Sequence, residues 1–388
     1  PQAAMHNTAL IRYLDYMEKW GEYDPGTTRG PIDHGDRVCA GYTYMWLYER
    51  SGKTSDHLEK TDDMIDFIFN DRELSQFNTK YRSYWMRFWN DDIHMVPPFL
   101  ARRGRLAGAE GIKNGKDARD LAMIYLLAYA DILRDEETGL YWHDVTTIGD
   151  YMWGRGNGWA AAGMTHVHRE LAADPEYARA AGWIEKRLVR MARTLKENRN
   201  PAGTWNADVL DRETYDAPET SGSAFFVYMM AYMLNRDLLP REEYLPVVLK
   251  AWNFLKRSLD EEGRLMRVQP VGRGPITDDF EMNSESYGVG AFVLAAVELS
   301  KFTPEELEAG DETECIAIEP GAAGLRDGRI EISLEEATTA RKDFPARAEG
   351  NVLAAQAGEK LPDIAIEDGK LLIDGVKTDK KIYLFYRP

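Results

Sequence analysis

From about residue 7 to residue 301, apolar side chains recur at three- and four-residue spacing, the period of a helix with one buried face. The pattern predicts helices over Leu10–Trp20, Val38–Tyr48, Leu58–Phe69, Ile93–Leu106 and Leu121–Leu133. It continues over Trp159–Leu171, Ile184–Leu195, Ala224–Leu234, Tyr244–Leu259 and Val289–Phe302. Most connections are short. Four are long and rich in Gly, Trp, Asp and Arg: Gly21–Gly35, Glu73–Asn90, Arg134–Met152 and Asn198–Glu219. Long loops on a helical scaffold are where function concentrates. Near residue 303 the period changes. Thr303–Thr313 is acidic and reads as a linker. Short alternating runs follow at Arg329–Ser333, Ile364–Ile366, Leu371–Ile373 and Lys381–Tyr386, with Asp-Gly turn pairs at 327–328, 368–369 and 374–375. The stretch Glu335–Lys360 fits neither pattern clearly. The expected organisation is therefore a helical domain over 1–302, a linker over 303–313 and a small β-rich appendage over 314–388. Helical hairpins with loops on one rim suggest an all-α toroid. An (α/α)6 barrel takes roughly twelve helices, and the pattern supplies about ten.

Composition narrows the partners. The 388 residues carry a formal net charge of -17, which argues against nucleic acid, because phosphate binding needs a basic footprint. An anionic sugar needs only a local Arg and remains compatible. The 10 Trp and 20 Tyr suit carbohydrate faces and equally suit a core. Cys39 and Cys315 read as free thiols, with no disulfide framework and no zinc spacing. No apolar run approaches a membrane span, so no membrane partner is expected. The first residues given do not read as a secretory leader, and both cytoplasmic and periplasmic compartments are compatible. A homo-oligomer also stays open.

The densest chemistry lies in Trp153-Gly154-Arg155-Gly156-Asn157-Gly158-Trp159, which joins two indoles, a guanidinium and three glycines at a helix start. Glycine lets backbone approach a ligand, indole faces fit sugar rings, and an Arg fork fits a carboxylate. Asp91 and Asp92 follow the aromatic residues Trp85, Phe88 and Trp89 at another helix start. A carboxylate there can serve as an N-cap, or as a general acid whose pKa the aromatic wall raises by desolvation. Asp36 precedes the helix Val38–Glu49 and carries the same two readings. Two acidic helix starts on one rim would make the carboxylate pair of glycosidic chemistry. His143, in Gly139-Leu140-Tyr141-Trp142-His143-Asp144, can bond a sugar hydroxyl or serve structure alone. Gly203-Thr204-Trp205 and Glu219-Thr220-Ser221-Gly222-Ser223-Ala224 precede a further helix, the latter reading as a capped start. No phosphate loop, nucleophile elbow or metal-ligand run is present.

In this order and spacing the motifs resemble the unsaturated glucuronyl/galacturonyl hydrolases, glycoside hydrolase families 88 and 105, with the rhamnogalacturonyl branch, family 105, nearest. The resemblance covers roughly residues 8–302 and includes the helix start Tyr287-Gly288-Val289-Gly290-Ala291-Phe292. It implies an (α/α)6 barrel that acts on lyase-generated oligosaccharides ending in a Δ4,5-unsaturated uronic acid. An Asp protonates C4, water adds at C5, and the hemiketal opens with loss of the glycosidic bond. No cofactor and no metal are required. By position in the motifs, Asp91 is the proton donor and Asp36 the second functional carboxylate. Trp89, His143, Trp153, Arg155, Trp159, Trp205 and Asp92 fall to substrate binding. Residues 8–20 correspond to the family's third helix, so its first hairpin lacks a counterpart, and the β-rich segment lies outside the family pattern. Two rival readings keep the scaffold: a conventional inverting glycosidase, and a catalytically inactive glycan-binding protein.

Overall fold

The computed structural model describes residues 38, 41–50, 58–59, 61–62, 64–65, 89–110, 115–272 and 274–308, and beyond these the strands given below. The expected helix Leu10–Trp20, the aromatic residues Trp85 and Phe88, and the expected carboxylate Asp36 lie outside the described residues. The described chain is mostly helical.

In order, the helices are α1 (Gly41–Arg50), α2 (Asp92–Met95), α3 (Pro97–Glu110), α4 (Gly115–Leu133), α5 (Gly154–Leu171) and α6 (Ala178–Glu197). A two-stranded ribbon follows, β1 (Trp205–Asn206) with β2 (Pro218–Glu219), and then α7 (Thr220–Leu234), α8 (Arg241–Arg257), α9 (Ser286–Leu299) and α10 (Pro304–Glu308). The chain divides into two compact units: 1–133 with 163–184, and 134–162 with 185–388.

In the first unit, the periodic run expected as one helix over Ile93–Leu106 comes as two, α2 and α3, parted at Val96. Pro97 is the cause. It and Pro98 donate no backbone hydrogen bond, so the ladder is interrupted although Val96 keeps right-handed helical angles (φ -103, ψ -55), and a proline fits the first position of a new helix. Helix α3 packs on α4, and Phe99, Leu100 and Leu106 of the one and Leu121, Tyr125 and Tyr129 of the other are buried, the Phe99 ring close to Gly41 of α1. The buried Arg103 is satisfied by Thr61 Oγ1 at 2.7 Å and by the Asp62 carboxylate.

In the second unit, α7 has no solvent face: every residue from Thr220 to Leu234 is buried. After the polar first turn Thr220–Ser223, its sequence is apolar or aromatic all round, as a helix enclosed on all sides requires. Helices α8 and α9 pack on it. In α6, Leu188, Met191, Ala192 and Leu195 are buried, and its Arg and Lys residues fall between them. Each fully buried large apolar side chain contributes roughly 1.5–3 kcal/mol.

Beyond α10 the described backbone is extended: β3 (Glu314–Ile318), β4 (Gly324–Arg326), β5 (Arg329–Ser333), β6 (Val352–Gln356), β7 (Glu359–Leu361), β8 (Ile364–Glu367), β9 (Lys370–Asp374) and β10 (Ile382–Tyr386). They form two antiparallel four-stranded sheets, in the orders β3-β10-β6-β7 and β4-β5-β9-β8. Pairs Arg326↔Arg329 and Glu367↔Lys370 flank Asp-Gly dipeptides. The third Asp-Gly dipeptide begins at the last residue of β9, whose partners are β5 and β8, while β10 lies in the other sheet.

Candidate functional site

In the first unit, the segment Trp89–Met95 forms a tight turn into α2. Backbone amides of Asp92, Ile93 and His94 donate to the carbonyls of Trp89, Asn90 and Asp91 at 3.0, 3.3 and 2.9 Å. Asp91 already has helical angles (φ -57, ψ -40), and its side chain makes no capping bond. Of the two readings open to this residue in the sequence, capping is therefore the one the geometry removes. The adjacent carboxylate behaves differently. Asp92 is buried and accepts the Tyr129 hydroxyl at 3.1 Å. Burial, followed by the Asp92 charge, pushes the Tyr129 hydroxyl well above its ordinary pKa. Trp89 and Asp91 are half-buried. Gly163 of α5 sets the depth of the turn: a Cβ there would lie 2.8 Å from His94 Cα and against the Ile93 carbonyl.

His94 and His166 sit with ring centres 5.5 Å apart. Burial pulls the His94 pKa down from 6.5 to about 4, and burial, the neighbouring His94, Arg169 and Arg102 pull His166 well below 6.5. Both rings are thus neutral in the folded protein near neutral pH. The unfolded chain takes up protons on them as pH falls through 6.5, while the folded chain resists until about 4. Stability is accordingly complete above that upper value and declines below it. One site contributes at most about 3 kcal/mol. Urea midpoints measured from pH 7.5 to 4.5 are expected to fall, with a shallower slope in His94→Gln.

In the second unit, the Trp153–Trp159 segment opens α5, which begins at Gly154 rather than at Trp159. Two of its glycines, Gly154 and Gly158, face protein. A Cβ on Gly154 would meet Asn206 O at 2.7 Å, and one on Gly158 would meet Phe225 Cβ at 3.0 Å and Gly222 Cα at 3.2 Å. The glycines at 154 and 158 therefore serve the close approach of α5 to β1 and α7, not the approach of a ligand. Asn157, fully buried, exchanges bonds with both backbone groups of Tyr141 (2.8 and 3.0 Å) and donates to Trp153 O at 3.0 Å. It thereby ties the His143 loop to the start of α5. Asp208, also buried, accepts the amides of Met152, Leu210 and Asp211 at 2.7–2.8 Å. Burial raises its pKa against those bonds.

Three expected site residues meet here. The Arg155 guanidinium lies 4.6 Å from the ring centre of Trp153, and the His143 ring meets Trp153 edge-on at 5.2 Å. Arg155 is 3% exposed and donates to Gln269 O and, at 3.0 Å, to Pro270 O. The Tyr287 ring centre is also 4.6 Å from it. Burial pushes the Tyr287 hydroxyl up to about 12, and this hydroxyl donates to Gln269 O at 2.7 Å. Trp159, half-buried, packs on Phe225 at 4.4 Å and lies 6.5 Å from Tyr287. His143 Nδ1 lies 3.0 Å from Asp144 Oδ2. Burial raises the Asp144 carboxyl, but bonds from the Thr146 hydroxyl and amide and the neighbouring His143 outweigh it and hold the pKa below the usual range.

Trp205, expected to bind sugar, is instead a core residue. It is 1% exposed, donates Nε1–H to Leu195 O at 2.8 Å, and meets Phe226 edge-on at 5.1 Å. A ring so enclosed has no face to offer. The sequence reading missed Gln269 and Tyr287 as neighbours of Arg155, and gave Glu219 only a capping role. Tyr287 already stood at the head of the last motif quoted; Gln269 carries no local signal.

Among the described residues no helix is long and apolar enough to cross a membrane, and no group of three or more His, Cys, Asp or Glu could hold a metal ion.

In the second unit the Arg155 surroundings can bind an anion beside aromatic rings; in the first unit the turn before α2 carries a carboxylate that makes no capping bond. Relatives agree with a carbohydrate enzyme. The unsaturated 3S-rhamnoglycuronyl hydrolase of Formosa agariphila is 27% identical over 320 residues, 77% of this chain and 81% of that protein. The protein of the same name from Alteromonas sp. is 27% identical over 287 residues, 69% of this chain and 66% of that protein. A solved glycosyl hydrolase family 88 structure from Bacteroides vulgatus aligns with a TM-score of 0.63 at 27% identity, covering 76% of this chain and 86% of that one. The family described as Glycosyl Hydrolase Family 88 matches residues 3–303, which takes in the Asp91 turn, the Arg155 helix start and Tyr287, and the chain belongs to that family of glycoside hydrolases.

Proposed function

We propose that the protein hydrates the C4=C5 double bond of a terminal unsaturated uronic acid on lyase-generated oligosaccharides and so releases that sugar. The observation that carries this reading is Arg155. It is a buried cation bonded to two main-chain carbonyls, set beside two aromatic rings, and paired with no carboxylate among the described residues. Burying a charge without a counter-charge is costly, so such a site favours an anionic ligand. A uronate carboxylate on a sugar ring supplies that anion.

In this reading Asp91, as the acid, gives its proton to C4, and the cation at C5 is stabilised by the ring oxygen. Water adds to C5 and returns a proton to Asp91, assisted by Asp36. The hemiketal opens, and the C1 hemiacetal so exposed expels the remaining oligosaccharide. Trp89 and Trp159 offer ring faces, Arg155 holds the carboxylate, Trp153 flanks the guanidinium, and His143 and Asp92 orient the sugar or the acid. The reading carries with it the family's (α/α)6 toroid over 1–302, with 303–313 as linker and 314–388 as a small β-rich appendage.

The test is loss of the enol-ether ultraviolet absorbance on lyase digests of ulvan, rhamnogalacturonan and glycosaminoglycan. The rhamnose-containing digests come first, because two relatives are named as rhamnoglycuronyl hydrolases. Bleaching of one digest, with release of the unsaturated sugar, supports the proposal. Turnover of saturated glycosides instead would favour a conventional glycosidase. Binding without turnover would favour a glycan-binding protein.

A further inference from the structure

Building on that function, we infer that Glu219 is a positioning residue for Arg155, acting through the main chain of Gln269, and thereby sets the preference for a charged over a neutral uronyl group. Glu219 is 1% exposed and ends β2 just before α7. Its Oε1 accepts Ser221 N at 3.1 Å, Ser221 Oγ at 2.6 Å and Gln269 N at 3.1 Å, and its Oε2 accepts Gly222 N at 2.7 Å. Capping explains the bonds to residues 221 and 222, and the helix dipole favours the negative charge. Shorter side chains, Asp or Ser, are the usual choice for that task. The bond to Gln269 is the one capping does not explain.

Gln269 is fully buried with all its polar groups engaged. Its amide donates to Glu219, and its carbonyl accepts from Arg155 and Tyr287. Its side-chain oxygen takes Trp153 Nε1–H at 3.4 Å, and its Nε2 donates to Gly274 O at 2.7 Å. The backbone entering Gln269 is held in an unusual shape. Arg267 has φ 62, a left-handed conformation uncommon for a long side chain. Bonds of Arg267 to Thr220 N (3.0 Å) and Glu281 O (3.1 Å), and of Val268 N to Asn283 O (3.1 Å), fix it there. The Glu219 bond pins the Gln269 main chain at its amide, and so holds in place the residue from which the carbonyl that meets Arg155 and Tyr287 projects. Glu219 thus fixes the carbonyl that aims the Arg155 guanidinium, leaving its remaining N–H groups for the ligand.

The experiment compares kcat/KM of the full chain on an unsaturated uronyl disaccharide and on its methyl ester, which keeps the reacting double bond and removes the charge. The unmutated protein should prefer the free acid. Glu219→Gln keeps the shape but places an amide NH2 against an N–H donor. It should cut the acid-over-ester preference about tenfold, mostly through KM for the acid. An equal fall on both substrates would assign Glu219 to structure alone and overturn the inference. If Glu219→Gln does not fold, Tyr287→Phe serves: it keeps the ring beside Arg155 and removes one donor from Gln269 O. A preference reduced about threefold would support the inference, and an unchanged preference would overturn it. An unmutated protein that acts on neither substrate overturns the proposed function itself. One that acts on both equally removes the carboxylate role of Arg155, and this inference with it.

Discussion

Asp91→Asn is expected to lower turnover of unsaturated uronyl oligosaccharides by at least about 10³-fold while the start of α2 stays formed. The asparagine amide matches the carboxyl in shape but cannot donate an acidic proton to C4. The structural half of the expectation comes from the turn. Because the Asp91 side chain caps nothing and the amides of Ile93 and His94 bond main-chain carbonyls, α2 keeps its start without the carboxylate. Asp92→Asn provides the contrast. The amide oxygen that replaces the carboxylate can still accept the Tyr129 hydroxyl, so activity should stay within about tenfold of the unmutated rate, while any loss appears in stability. Rates and urea midpoints of both variants check the pair. Full activity in Asp91→Asn with a dead Asp92→Asn would exchange the two roles.

Gly163→Ala is expected to be the most damaging small substitution in the first unit. In an exposed helix interior alanine is favoured over glycine by about 1 kcal/mol, so propensity alone predicts a gain. Here the new methyl would enter the Ile93 carbonyl and approach His94 Cα. Backbone cannot rotate away as a side chain can, so α5 or the Asp91 turn must shift. Overpacking of this kind costs roughly 1–3 kcal/mol or more, and a turn displaced by about 1 Å can cost on the order of 10² in rate. Gly182→Ala in α6 is the control. A Cβ there meets nothing within 4 Å, and a gain of about 0.5–1 kcal/mol is expected. Equal melting curves for the two variants would refute the packing argument.

The glycines show how far the sequence could be read. Their clustering with Trp and Arg marks an important place, but a glycine written in sequence does not say which neighbour it admits. At 154 and 158 that neighbour is β1 or α7, and at 163 it is the turn bearing Asp91. Helices were legible wherever one face is buried, as in α6, because burial writes itself as period. Their starts were less so: α5 opens in glycines of low helical propensity, and α3 restarts at a proline inside an unbroken apolar pattern. Among the strands, Arg329–Ser333 stood out by alternation, whereas Val352–Gln356 lies in a stretch of mixed Ala and Glu without alternation. Arg155 could be picked out as a cation among aromatics. Gln269, which holds it, is more than a hundred residues away in sequence and meets it only through main-chain geometry.

Helix α7, wet on no side, has no independent existence in water: its apolar residues would be exposed on every face if its neighbours withdrew. Its amides can reach solvent only when α8 and α9 come away together, so they report opening of the whole second unit rather than local fraying. In hydrogen exchange this segment becomes an internal clock for that unit, its slowest protons timing the event after which the Arg155 cradle no longer exists.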